Sequence, residues 1–124
     1  MSDVVPTPAP VVLLADDEPS IRRVMSQLLP LQGFDVLLAA DGEEAVRTFA
    51  LDPRRVAAVV LDLGMPRVNG REALRRIRAL SQTVPVVVTS GAPGDELPGV
   101  NATLLKPYGA DDLVAALRKV SAPA

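Results

Sequence analysis

Acidic residues gather where apolar runs stop. The stretch VVLLADDEPS, Val11 to Ser20, runs from buried-looking aliphatics straight into Asp16, Asp17 and Glu18. VVLDLGMP places Asp62 at the end of a second run, VVVTSG places Thr89 and Ser90 at the end of a third, and LLKP ends in Lys106. Two carboxylates about 5 Å apart repel by roughly 3 kcal/mol at an effective dielectric near 20, so adjacent acids call for a cation. Clustered carboxylates without histidine or cysteine suit a hard ion, and Mg²⁺ prefers a few carboxylates, a carbonyl and several waters. With that charge neutralised, one carboxylate can attack a phosphoryl group and form an acyl phosphate, while a lysine and a hydroxyl contact the new phosphoryl oxygens.

Each residue alone has an ordinary explanation. Asp17 could cap a helix, Asp62 could form a turn beside Gly64 and Pro66, Ser90 could be a loop hydroxyl, and Lys106 could be a solvated lysine. Lys106 is nevertheless one of only two lysines among 13 cationic residues. The argument rests on all of them standing at equivalent run ends.

Composition narrows the chemistry. The 124 residues are 48% hydrophobic and 23% charged, enough for one globular domain with a real core. Cysteine and histidine are both absent, which removes thiolate zinc sites, disulfides, thiol nucleophiles, histidine bases and a phosphohistidine carrier role. A net charge of −2 gives no reason to expect nucleic acid, and Phe34, Phe49 and Tyr108 are too few for a base-stacking platform. No apolar run reaches membrane-spanning length, and MSDVVPTPAP lacks the basic and apolar regions of a secretory signal. A cytoplasmic domain over residues 11–121 is expected, with 1–10 as a flexible leader and 122–124 as a short tail.

The elements that must position these groups are legible as alternating runs. Val11–Ala15, Phe34–Ala39, Val56–Leu61, Val86–Val88 and Ala102–Leu105 lack polar alternation, as strands buried on both faces do. Between them lie helical stripes. Ile21, Val24, Leu28 and Leu31 form one, with Pro19 suited to its first turn and Gly33 to its exit. Asp41 and Glu44 resemble a capping box for the next. Leu74, Ile77 and Leu80 oppose Arg71, Arg75 and Arg78 in a third, and Leu113, Leu117 and Val120 form the last. Strand–helix alternation implies right-handed crossovers in an open α/β sheet, whose ligands bind beyond the carboxyl ends of the strands.

LLADDEPSIRRVM, LDLGMPRVNG, PVVVTSG and LLKPYGADDL, in that order, resemble the receiver domain of bacterial two-component response regulators from Val11 to Val120. The resemblance implies a flavodoxin-like five-stranded parallel sheet of order 2-1-3-4-5 with helices on both faces. It implies that Asp62 is the phosphoacceptor, that Asp16 and Asp17 hold Mg²⁺ with Asp62 and the Gly64 carbonyl, that Ser90 is the switch hydroxyl, and that Lys106 is the family's lysine. The donor would be a phosphohistidine on a kinase or phosphotransfer protein. The domain would be a signalling phosphoacceptor rather than an enzyme with an external substrate, and a monomer is expected.

Two departures stand out. Where the family carries an aromatic residue three positions before the lysine, this chain has Thr103, and Tyr108 stands where the family more often has phenylalanine. Fifteen residues separate Ser90 from Lys106 and about five of them belong to strand five; the remaining ten, GAPGDELPGV, are half Gly or Pro, so the family's fourth helix is expected to be missing or reduced to about one turn around Asp95–Leu97. Other functions fit less well. A small Mg²⁺-dependent phosphatase of the haloacid dehalogenase type would need a second acid two residues after Asp62, where Gly64 stands. A flavodoxin-like nucleotide binder would not place three negative charges in its first loop. A degenerate receiver serving only as an interaction module remains the alternative.

Overall fold

The computed structural model describes residues 8–92 and 97–121. Five strands, β1 (Val11–Ala15), β2 (Asp35–Ala39), β3 (Val56–Asp62), β4 (Val86–Ser90) and β5 (Ala102–Leu105), form one parallel sheet of order β2-β1-β3-β4-β5. Helices α1 (Pro19–Leu31) and α4 (Ala110–Ser121) cover one face, and α2 (Gly42–Leu51) and α3 (Gly70–Leu80) cover the other. A single 3₁₀ turn, Pro53–Arg55, leads into β3. The expected fold class and strand order are observed. Of the expected leader, residues 8–10 precede β1, and the Pro10 carbonyl already accepts the Asp35 amide at 2.9 Å.

Continuous apolar strands divide their side chains between two cores. Leu13, Val59, Leu61, Val86 and Val88 pack with Phe49 and Ile77 under α2 and α3. Val12, Leu14, Val60 and Val87 pack with Met25, Leu29, Leu113 and Leu117 under α1 and α4. Alternate residues of one strand therefore serve opposite layers, which is why the strands show no polar alternation.

The helix starts follow the capping logic. Pro19 opens α1, where its missing N–H costs nothing. The Asp41 carboxylate accepts the Glu44 amide at 2.8 Å, and Asn69 Oδ1 accepts the Glu72 amide at 3.0 Å. Gly33, just past α1, has φ +92, a conformation that glycine adopts without a Cβ penalty.

The stripe on α1 is one residue off the expected row. Met25 and Leu29 are buried with Ile21 at their edge, whereas Val24 is exposed and Leu31 is 80% exposed. Adjacent residues are only about 100° apart around a helix, so an apolar run this dense contains two candidate rows; packing against Val12 and Leu14 selects one. Leu80 is likewise 49% exposed, beyond the part of α3 that faces the sheet.

No helix lies between β4 and β5 among the described residues, 91–92 and 97–101. Most of the single turn expected around Asp95–Leu97 lies outside the described residues. An arginine organises the entrance to β5. Arg78 of α3 donates to the carbonyls of Val84 at 2.6 Å, Ser81 at 3.2 Å and Gly99 at 2.6 Å. It also reaches Asn101 Oδ1 at 3.3 Å, which accepts the Val86 amide at 2.9 Å. On the α3 side of β5, Thr103 and Leu105 are exposed, Leu105 by 51%.

Candidate functional site

Parallel strands end at one edge of the sheet, and four of the five carry the chemistry there. The exit of β1 carries Asp16 and Asp17, that of β3 Asp62, that of β4 Ser90, and that of β5 Lys106. Asp16, Asp62 and Ser90 are buried, and Asp17 is exposed. One oxygen from each of Asp16, Asp17 and Asp62 can be chosen so that all three lie within 4.8 Å of one another. The acids and the lysine thus meet at the strand exits, with Ser90 at the neighbouring exit of β4.

Lys106 is the only ammonium paired with these acids among the described residues. Its Nζ donates to Asp62 Oδ2 at 3.0 Å and lies 3.4 Å from Asp16 Oδ2 and 3.9 Å from Glu18 Oε1. Burial works against the ammonium, but the bond to Asp62 and the charge of Asp16 outweigh it and hold its pKa above the usual lysine value. Burial is also the main influence on Asp16, whose pKa is raised, with the Asp62 charge adding to it; the Glu18 amide and Lys106 oppose the rise only in part. One cation therefore leaves the cluster with uncompensated negative charge.

Backbone contacts fix the carboxylates. Asp62 Oδ1 accepts the Gly64 amide at 3.1 Å, and Asp16 Oδ1 accepts the Glu18 amide at 2.9 Å. Beyond Asp62 the chain is pressed against α3, because a Cβ at Gly70 would lie 2.5 Å from the Asp62 carbonyl oxygen. The Leu63 amide donates to the Thr89 carbonyl at 3.0 Å, and the Lys106 amide to the Ser90 carbonyl at 2.7 Å, tying the exits of β3, β4 and β5 together. The Ser90 hydroxyl donates to the Ala92 carbonyl at 3.0 Å and accepts its amide at 3.1 Å.

Three further groups stand around the site to which the sequence had assigned no role there. Arg22 donates to the Asp16 carbonyl at 2.8 Å. Its place one turn into α1 was the available signal. Thr89 Oγ1 and Tyr108 Oη are buried and have no hydrogen-bond partner. The Tyr108 pKa is pushed up to about 12, by burial first and then by the Asp16 carboxylate. Thr103, where an aromatic residue was the family expectation, is exposed on the opposite face of the sheet from Tyr108.

The donor set is all oxygen, partly buried and short of positive charge, and it fits a hard divalent cation such as Mg²⁺.

Known proteins resemble this chain in sequence and in fold. The chain is 35% identical over 116 residues to the transcriptional regulatory protein CpxR of Klebsiella pneumoniae, covering 88% of this chain and 48% of that protein. It is 34% identical over 113 residues to the response regulator MprA of Mycolicibacterium vanbaalenii, covering 86% and 48%. The chain thus spans about half the length of these relatives. Among solved structures, the receiver domain of a Pseudomonas aeruginosa PAO1 sensor histidine kinase, with a magnesium ion coordinated in its active site cleft, superposes with TM-score 0.83 at 29% identity, covering 93% of this chain and 99% of that one. A response regulator receiver domain protein from Clostridium thermocellum gives TM-score 0.83 at 28% identity, covering 90% and 94%. The model of the response regulator receiver domain matches residues 12–118, and this chain belongs to that family.

Proposed function

We propose that this receiver domain takes a phosphoryl group onto Asp62 from a phosphohistidine of a kinase or phosphotransfer protein, working as a monomer in the cytoplasm. The observation that carries the reading is the 3.0 Å contact between Lys106 and Asp62 beside Asp16, at the open edge of the sheet. An Asp62 carboxylate oxygen attacks phosphorus, the bond from phosphorus to the donor imidazole nitrogen breaks, and that nitrogen keeps the electron pair. Lys106 moves from the carboxylate to a phosphoryl oxygen and holds the added charge. Ser90 supplies a hydroxyl to another phosphoryl oxygen once it leaves Ala92. Asp16, Asp17, Asp62 and the Gly64 carbonyl would hold Mg²⁺, which neutralises charge as acid and phosphoryl approach.

The test is intact mass after incubation with acetyl phosphate, with and without Mg²⁺, for the wild type and Asp62→Asn. One phosphoryl group gained only with Mg²⁺ and only by the wild type supports the reading. No gain in any sample overturns it. A second reading, an interaction module without phosphoryl chemistry, is favoured only by Thr103, which puts no aromatic ring beside Ser90. Stabilisation by Mg²⁺ without phosphoryl uptake would bring it forward.

A further inference from the structure

Thr89 Oγ1 and Tyr108 Oη, the two buried hydroxyls without a partner among the described residues, lie on the same side of the sheet. Thr89 follows Val88, which faces α3, so its side chain shares the α1–α4 face with Val87. In register it stands between Asp62 of β3 and Leu104 of β5. Tyr108 packs against the same core, two residues beyond Lys106. With Glu18, Ile21, Met25, Lys106 and Pro107 it lines a cavity of about 320 Å³. Both hydroxyls therefore sit on the cluster's side of the sheet, and the Tyr108 ring forms the wall of an outward-opening space.

Burying a hydroxyl without a partner costs free energy that valine or phenylalanine of nearly the same shape would avoid. Packing alone does not explain why either oxygen is there. In the resting arrangement Lys106 bridges Asp62 Oδ2 and Asp16 Oδ2. If Lys106 shifts to a phosphoryl oxygen, Asp16 Oδ2 loses its ammonium. The field of Asp16 reaches the phenol, where it is the largest charge effect on the Tyr108 pKa.

We propose that Tyr108 is a positioning residue of the phosphorylated site: its hydroxyl donates to Asp16 in place of Lys106, and Thr89 Oγ1 donates to the phenol oxygen behind it. This rests on the phosphoacceptor reading of Asp62. The chain satisfies both hydroxyls at once, and each bond polarises the next. Because the ring moves with its hydroxyl, the cavity wall shared with Ile21 and Met25 changes shape when Asp62 is modified. The site thereby acquires a route to the α1–α4 face that bypasses Thr103.

The test uses the full chain, Tyr108→Phe, Thr89→Val and the double variant, each with Mg²⁺ and acetyl phosphate. Intact mass reads phosphoryl uptake, and the methyl signals of Met25 and Ile21 read ring movement. The expected result is that all four proteins gain the phosphoryl group and both single variants keep or raise the resting Tm. The methyl displacement on phosphorylation should fall at least twofold in each single variant, with no further loss in the double. The relay is overturned if the variants gain the phosphoryl and keep the full displacement. It is also overturned if either lowers the resting Tm by several degrees, because the hydroxyls would then serve the resting fold. If the wild type gains no phosphoryl, the mass alone shows that the phosphoacceptor reading has failed and the relay with it. If it gains one and the methyls stay still, the relay alone fails.

Discussion

The Lys106 ammonium donates to Asp62 at 3.0 Å across 44 residues of chain, and lies 3.4 Å from Asp16 as well. One flexible side chain from the edge strand thus neutralises part of the charge that the two central strands bring to their exits.

Replacing Lys106 by methionine keeps most of the apolar stem and leaves two buried carboxylates without their cation. The expected loss without divalent ions is about 2 kcal/mol, below the full penalty for a sealed pair because the site opens to water. Urea denaturation with and without Mg²⁺ checks this. The variant should gain more from the ion than the wild type does.

Asp16→Asn acts in the opposite direction. The folded-state pKa of Asp16 is raised, so folding favours its protonated form and its ionised form lowers stability above that pKa. A neutral amide should therefore raise stability at pH 7 without metal. The Mg²⁺-dependent shift in Tm should shrink together with that gain.

Tyr108 is the only tyrosine, and there is no tryptophan, so phenolate absorbance near 295 nm reports this residue alone. The midpoint should fall at about 12 rather than near the usual phenol value of 10.0. The folded chain then holds a proton that the unfolded chain releases, so stability falls as pH rises from about 10 to about 12. Tyr108→Phe removes that alkaline component, which urea titrations at pH 9 and 11 would register.

Gly70→Ala tests the support behind Asp62. A Cβ there would meet the Asp62 carbonyl oxygen at 2.5 Å and Leu63 Cα at 2.6 Å, both backbone atoms. The helix or the strand exit must shift, at an expected cost of about 2 kcal/mol. Amide shifts at Asp62–Gly64 larger than those at Val56–Val59 would locate the movement.

Arg78→Lys tests the clamp at the entrance to β5. Lysine keeps the charge but not the planar fork, so it cannot serve Val84, Ser81 and Gly99 together. Amide exchange across Ala102–Leu105 should quicken about tenfold, while β1 and β3 keep their protection.

Much of this was readable from the chain. Period and turn chemistry exposed the strands, because a residue buried on either face of a parallel sheet must be apolar whichever way it points. Strand exits in such a sheet share an edge, so Asp16, Asp62, Ser90 and Lys106 could be brought together before any distance was known. The α1 row was not readable, since Val24 and Met25 are equally apolar and only the opposing layer chooses between them. Arg78 was also missed. On a helical wheel it belongs to the polar face, and its partners are carbonyls, which have no signature in a sequence. Ser90 was chosen over Thr89 because it sits five residues after Pro85 and just before Gly91, a spacing that says nothing about what the neighbouring hydroxyl does.

The order β2-β1-β3-β4-β5 also bears on how the domain folds. Asp16, Asp62 and Lys106 come together only after β1, β3, β4 and β5 have paired, and each of those pairings closes a long loop. A chain that has formed only its helices carries no trace of the cluster. The site is therefore assembled as cooperatively as the sheet, and a half-folded molecule would present scattered acids in place of a cluster.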